Sequence, residues 1–382
     1  MIAGQDLGHR PPTPPPIPEP PPTAPKRLDI QCLRALAAST VALLHLIYAF
    51  ANNLGEPLLP GFDSARASQG AVMLFFVISG YVMILSSARL FGEKRARRVF
   101  WTRRLVRILP PYWIATGALA LVFLTVMPRP IDGERFALSL ALIPHLAGQS
   151  DPGNPYRSLP FLWPGWTLLY EFVFYFLLGA LMTWGRRAAI VGTTLGLIAL
   201  VVAGLGIEKE AAAEHPIAWT LTRPVLLMFV PGMALRLLHE AGWQAPLFAR
   251  LLALLAAGLL AALVPEPQFP SAMGFDYLAW CGVPAILIAF AAIGGPVCAP
   301  NAGAASRLIA GLGDMSYALY LLHVPIAWAW LWFYIKLPFF TPGPLDYFLT
   351  ASLVAFAMSW LFYVWVERPM TRALNRRFAA QS

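Results

Sequence analysis

The sequence predicts an all-α fold, a polytopic membrane bundle of about ten helices. Three observations carry that expectation. Apolar residues fill 58% of the 382 positions, against roughly 45–50% in an ordinary soluble domain. Charged residues contribute only 12%, about half of the usual share. The apolar residues also gather into runs of spanning length, since a helix needs about 20 of them to cross a bilayer core. A mean hydropathy of +0.62 and 13 Trp suit a chain with rings to place at two water–lipid boundaries. These features exclude a soluble globular protein, a disordered chain and a nucleic-acid binder.

The first 29 residues hold no apolar stretch, so no cleavable signal peptide is expected. Residues 11–25, PPTPPPIPEPPPTAP, contain ten prolines and read as an extended, solvated polyproline-type leader. The expected organisation is therefore a disordered cytoplasmic tail at 1–29, a transmembrane domain at 30–370 and a basic cytoplasmic tail at 371–382. Within the transmembrane domain ten apolar runs follow in order. The first, about 30–51, begins after Asp29 and carries Arg34 and His45. The second, 70–87, is free of charge. The third, 108–127, leaves a basic stretch through Pro110-Pro111, and the fourth, 163–184, starts at WPGW and holds Glu171. The fifth, 188–206, is bounded by Arg187 and Glu208, and the sixth, 217–235, is interrupted by Pro224 and Pro231. The seventh, 251–264, is short. The eighth is 277–294, the ninth, 316–335, stops at Lys336, and the tenth, 347–366, stops at Glu367-Arg368. No repeat of 20–50 residues is visible. Cys32, Cys281 and Cys298 form neither a disulfide framework nor a metal pattern, so no metal site is expected.

Basic residues orient the runs. With the N-terminus inside, twenty of the 28 Lys and Arg fall on the cytoplasmic side, eight of them between Arg89 and Arg107; six fall outside, and Arg34 and Arg223 lie within runs. That bias places both termini in the cytoplasm. The net charge of +9 is then explained by topology and by anionic membrane lipid, with no nucleic acid to invoke.

Ionisable groups inside apolar runs cost a few kcal/mol even on lenient insertion scales, so they usually face a bundle interior or a wet cavity. Arg34 and His45 are eleven residues apart, which puts them on one helix face about 16 Å apart along the axis. His45 and Glu171, counted from opposite ends of antiparallel helices, reach similar depths. A histidine and a carboxylate at one depth suggest a base and its orienting partner. Arg223 and His323 are further intramembrane candidates; a packed histidine is the plain alternative for His323, and snorkelling to the headgroups that for Arg34. Arg104 and Arg107, three apart on a helix before ILPPYW, share a face and suit a polyphosphate.

Read together, these segments resemble the acyltransferase-3 family of integral membrane enzymes. DIQCLRALAASTVALLHL is similar to its opening helix, with Arg34 and His45 at the matching positions. FFVISGYVM at 75–83, Arg104-Leu105-Val106-Arg107, PGWTLLYEFVFY at 164–175, TRPVLLMFVPGMAL at 222–235, GDMSYALYLLHVPI at 313–326 and WVERPM at 365–370 follow in family order. The short members that O-acetylate exopolysaccharides are the nearest in pattern. Tyr170 departs from the family's usual smaller residue, and no esterase-like domain follows before Ser382.

The resemblance implies transfer of an acyl group, acetyl above all, from acyl-CoA to a hydroxyl of an exported polysaccharide or glycolipid. Acyl-CoA is then a co-substrate, and no cofactor is required. Arg34, Arg104 and Arg107 would hold the donor, and His45 would serve as general base or as an acyl-carrying nucleophile. Glu171 would fix the imidazole tautomer. Arg223, Tyr317, Tyr320 and His323 are secondary candidates. The carbohydrate acceptor, membrane lipid and polysaccharide-assembly proteins are the expected partners, and the location the resemblance implies is the cytoplasmic membrane of a bacterium. A glycolipid flippase or carrier is the competing function, although the inverted repeats common in transporters are not apparent.

Overall fold

The computed structural model describes residues 27–54, 64–146, 159–208, 210–268, 272–301, 303–336 and 343–379. The proline-rich leader expected at 1–29 lies outside the described residues, apart from Arg27–Asp29. The regular elements are helical, with no strand among the described residues. They run α1 (Leu28–Leu54), α2 (Ser64–Ser86), α3 (Ala96–Thr125), α4 (Gly133–Leu140), a 3-10 turn at Trp163–Gly165 leading into α5 (Trp166–Leu181), and α6 (Arg186–Gly204). Then come α7 (Pro216–Leu221), a 3-10 turn at Pro224–Met228, α8 (Phe229–Glu240), α9 (Leu247–Leu263), α10 (Phe275–Tyr277), a π turn and α11 (Val283–Ile293). The chain closes with α12 (Ala304–Asp314), α13 (Ser316–Lys336), α14 (Pro344–Phe362), a second π turn and α15 (Arg368–Ala379).

Nine helical stretches among the described residues are long and apolar enough to cross a bilayer, and α9 is a shorter apolar helix of 17 residues. The ten expected runs each fall on one of these. Side chains fix which end is which. Arg27, at the start of α1, bonds to Asp29 (2.5 Å), to the hydroxyl of Tyr81 late in α2, to His239 Nδ1 late in α8 (3.0 Å) and to the carbonyl of Ile293 at the end of α11 (3.2 Å). At the opposite end Arg66, early in α2, donates to the carbonyls of Ala261 and Val264. Since the amide of Ala245, just before α9, donates to Gly294 at the first end (2.7 Å), α9 traverses the bundle despite its length. We call the two ends the basic end, where Arg27 and the Arg-rich start of α3 lie, and the far end.

Small residues let the helices approach closely where lipid offers no hydrophobic drive to pack them. A Cβ on Gly80 of α2 would collide with the carbonyl of Phe229, and one on Gly232 of α8 would collide with that of Val77. The packing face of α1 is lined by buried Ala37, Ala38, Val41 and Ala42, and α1 meets α2, α12, α13 and α14. Helix α9 lies at the rim: only Ala253 and Ala257 are buried, against α11, while Leu247, Leu251, Leu255 and Leu259 stay exposed. Those exposed leucines are the lipid face of an integral membrane protein.

Three features sharpen the apolar-run reading. The basic stretch before the third run is itself helical, because α3 starts at Ala96 and runs on through Pro110 and Pro111. The sixth run is a broken helix. Arg223 is extended at its bend, Pro224 opens the 3-10 turn, and Pro231 sits in the first turn of α8, where its missing N–H leaves no bond unmade. The expected basic tail from 371 continues the last helix as α15 to Ala379.

Candidate active site

At the basic end the bundle encloses a cavity of about 850 Å³, including its open mouth. Its wall is made by α1, α2, α3, α5 and α13, and includes Arg34, Ser79, Arg104, Arg107, Glu171, Tyr175, Ser316, Tyr317 and Tyr320. Six of the sequence candidates thus meet in one space: the three arginines, Glu171 and both tyrosines. Three cations converge on an otherwise largely apolar chamber, an arrangement fitted to an elongated ligand with anionic groups at one end.

The carboxylate is held within this wall. Ser79 donates to Glu171 Oε1 (3.1 Å) and the Tyr175 hydroxyl donates to Oε2 (3.1 Å). Tyr175 follows Glu171 by one helical turn, so the two share a face of α5, and Ser79 arrives from α2 beside Gly80. Sequence reasoning missed Ser79 and Tyr175; a hydroxyl four residues from an intramembrane carboxylate was the available signal. Arg104 donates to Ser86 (3.1 Å) and lies 5.6 Å from the centre of the Phe100 ring.

The segment GDMSYALYLLH explains itself residue by residue. Gly313 admits α1 so closely that a Cβ there would strike Gln31. Asp314 accepts from Gln31 Nε2 (2.9 Å), and Gln31 Oε1 accepts from Arg34 (3.4 Å), so α12 steadies the arginine through one intermediary. Tyr317 donates to the carbonyl of Ile108 on α3 (2.9 Å). Tyr320 donates to the carbonyl of Pro164 (3.1 Å) and to Thr167 Oγ1 (3.2 Å), tying α13 to the start of α5. With Phe75 against it at 5.7 Å between centroids, the Tyr320 ring stands at the inner end of the cavity.

One turn further along α13 is His323, fully buried, its ring 6.1 Å from that of Tyr320. His323 Nε2 lies 2.8 Å from His45 Nδ1, with the rings stacked 5.0 Å apart. His323 Nδ1 lies 3.1 Å from the carbonyl oxygen of Leu319. A carbonyl only accepts, so Nδ1 of His323 carries the proton and Nε2, when neutral, accepts. His45 must then donate from its own Nδ1, which puts the lone pair of His45 on Nε2. The relay leaves His45 in the tautomer that a base or nucleophile needs.

This corrects the pairing that depth alone suggested. The partner at His45 Nδ1 is His323, and both oxygens of Glu171 accept from Ser79 and Tyr175. Axial counting fixes height and leaves azimuth open: His45 looks from α1 toward α13, whereas Glu171 looks from α5 toward α2 and α3. Arg223 also stands apart from the cavity. It is 8% exposed, donates to the carbonyls of Trp219 (2.8 Å) and Gly204 (2.9 Å), and lies 3.6 Å from the Trp219 ring centre, bracing the break before Pro224. No group of three His, Cys, Asp or Glu able to hold a metal occurs among the described residues.

Comparison with known proteins adds a family and two relatives. The acyltransferase-3 family, described as an acyltransferase domain, matches residues 27–364. The chain is 31% identical over 259 residues to the exopolysaccharide production protein ExoZ of Rhizobium meliloti (strain 1021), covering 66% of this chain and 74% of that one. It is 26% identical over 333 residues to the acyltransferase MdmB of Streptomyces mycarofaciens, covering 80% and 82%. No solved structure matches.

Proposed function

The chain belongs to the acyltransferase-3 family, and on that premise we propose that it transfers an acyl group, acetyl first, from acyl-CoA to a hydroxyl of an exported polysaccharide or a glycolipid. One observation carries the reading: the three-arginine cavity at the basic end stops at Tyr320, one turn of α13 from the His45–His323 pair. A polyphosphate nucleotide whose thioester arm points inward suits such a chamber. The basic end faces the cytoplasm, where acyl-CoA is found. The same Lys and Arg bias supports a cytoplasmic-membrane protein with both termini on that side. The nine helices of spanning length and the shorter α9 among the described residues support an even number of crossings.

A thioester is already activated, so the acceptor hydroxyl mainly needs its proton removed as it attacks. His45 Nε2 takes that proton. The new C–O bond forms as the C–S bond breaks, and the CoA thiolate leaves with the electron pair. His323 holds the tautomer and accepts from the imidazolium that develops. Arg34, Arg104 and Arg107 bind the phosphates. Glu171, braced by Ser79 and Tyr175, faces the arm of the donor rather than the imidazole.

The test is thioester consumption by purified protein in lipid. Release of CoA from acetyl-CoA that depends on added glycan, with the label appearing on the glycan, is expected. Movement of unmodified glycolipid across the bilayer without CoA release would replace this function with a flippase.

A further inference from the structure

At the far end of the bundle, five aromatic side chains from four segments gather round one spot. Phe123 closes α3, Phe136 lies on α4, Phe161 and Trp163 precede α5, and Trp328 lies on α13. Phe123 meets Phe161 at 5.7 Å and Trp328 at 5.9 Å, Phe136 meets Phe161 at 5.2 Å, and Trp163 meets Trp328 at 6.4 Å, all edge to face. Arg129, exposed on the connection after α3, holds its guanidinium 4.3 Å from the Trp328 ring centre and 5.7 Å from that of Phe123. Every one of the five rings is half-buried. Rings of an interfacial belt anchor separately in the headgroup layer; these face one another and carry a cation among them.

Two further observations bear on this end of the bundle. His145 is 9% exposed, and its backbone carbonyl accepts from the amide of Leu159, two residues from Phe161. Its Nδ1 is 2.9 Å from the carbonyl of Ile143, and Nε2 is buried with no hydrogen-bond partner. The cluster also shares a seam with the arginine cavity. Tyr317, Tyr320 and Trp328 fall within an arc of about 80° on α13. All three touch α3 or the start of α5: Tyr317 bonds Ile108, Tyr320 bonds Pro164, and Trp328 meets Phe123 and Trp163. His323 lies between the two levels, about 7.5 Å along the axis from Trp328.

We propose that this aromatic cluster is the acceptor subsite and that it takes a saccharide. Trp163 offers flat apolar surface to the C–H face of a pyranose, and Arg129, held over the Trp328 ring at 4.3 Å, donates to ring hydroxyls or to a uronate carboxylate. The acceptor hydroxyl is then delivered from the far end toward the His45–His323 pair while the donor approaches from the basic end. The proposal rests on the acyltransferase reading and adds to it where and by what chemistry the second substrate binds.

The experiment uses full-length protein in lipid nanodiscs with acetyl-CoA as donor. The acceptor is oligosaccharide released from the polysaccharide of a strain that lacks this gene. The variants are Trp328→Ala, Trp163→Ala, Trp328→Phe and Arg129→Gln, with Trp184→Ala, 74% exposed and away from the cluster at the end of α5, as control. Acceptor KM should rise about ten-fold or more in the alanine variants, from loss of stacking area at Trp163 and of the ring under Arg129 at Trp328, while KM for acetyl-CoA stays within two-fold. Trp328→Phe should keep most of the affinity, and Trp184→Ala should match wild type. Should Trp328→Ala fail to accumulate, Arg129→Gln, on an exposed connection, supplies the same comparison. Unchanged acceptor KM, or acceptor and donor KM rising together, would overturn the subsite. Wild-type protein that moves no acyl group to saccharide would instead remove the parent reading, a separate and prior failure.

Discussion

Gly80 on α2 and Gly232 on α8 occupy the two sides of one helix crossing, each against a carbonyl of the other helix: Gly80 against Phe229 and Gly232 against Val77. Two separate sequence segments, FFVISGYVM and TRPVLLMFVPGMAL, are therefore complementary halves of one contact. The crossing also places Ser79, next to Gly80, where it donates to Glu171. Gly80→Ala and Gly232→Ala should each lower stability by about 1–3 kcal/mol, the range for forcing an extra carbon into a packed site. Gly258→Ala on α9, where a Cβ meets nothing within 4 Å, should be neutral or slightly stabilising through helix propensity. Thermal unfolding in one detergent checks all three. Equal losses in all three would mean that the crossing has no special tolerance.

The relay from the Leu319 carbonyl through His323 to His45 makes a prediction about substitution chemistry. His45→Ala should lose transfer by about 10²–10⁴-fold, the usual contribution of a general base, with membrane insertion intact. His323→Gln keeps an acceptor for His45 Nδ1 and should retain more activity than His323→Leu, which keeps none. Because the base acts only when neutral, wild-type transfer should rise as pH passes upward through the ionisation of the coupled histidine pair and then level off. His323→Leu should alter that rising limb as well as its height. Equal activity of the Gln and Leu variants would detach His323 from His45.

The sequence exposed much of this because a membrane chain writes its architecture in hydropathy. Among the described residues nine of the ten apolar runs are helices long and apolar enough to cross a bilayer, and the short run at 251–264 reaches from the Gly294 contact to the Arg66 contact. Arg34, Arg104, Arg107, Glu171, Tyr317 and Tyr320 were each picked as intramembrane or motif residues, and they share one cavity. The pairing was not legible. Height along a helix can be counted from its ends, but rotation about the axis is set by packing, and only α1 lying on α13 shows that His45 meets His323. The aromatic cluster was hidden for the same reason, since Phe123 and Phe161 are ordinary span-end rings and Trp328 an ordinary mid-span ring until α3, α5 and α13 converge.

Donor binding is predicted to reside in the arginines. Arg104→Ala and Arg107→Ala should each raise KM for acetyl-CoA by about ten-fold or more, since a charge-assisted hydrogen bond contributes about 1.5–3 kcal/mol. Loss of kcat without any change in KM would place these residues outside the donor site.

Glu171→Gln separates the two roles that a carboxylate here can have. Gln can still accept from one of Ser79 and Tyr175, but it loses the charge that faces Arg104 and Arg107 across the cavity. Its effect should fall on the KM of acetyl-CoA, while the rising limb of the pH profile keeps its position. A shifted limb would restore Glu171 as the partner of His45 and make the Ser79 and Tyr175 bonds secondary.

Topology supplies the last prediction, because the division of substrates depends on it. Cys298 is exposed at the basic end, its carbonyl accepting from the amide of Leu28, and Glu134 is exposed on α4 at the far end. In a Cys32→Ser background, Cys298 should resist a membrane-impermeant thiol reagent in intact cells and react after the membrane is opened. The Glu134→Cys variant, with Cys298 also replaced by Ser, should react in intact cells. Cys281 is buried and should stay silent in both. The reverse pattern would turn the arginine cavity outward, away from cytoplasmic acyl-CoA. The donor assignment and the acceptor subsite would then both fall, while the helix packing that brings His45 to His323 would stand unchanged.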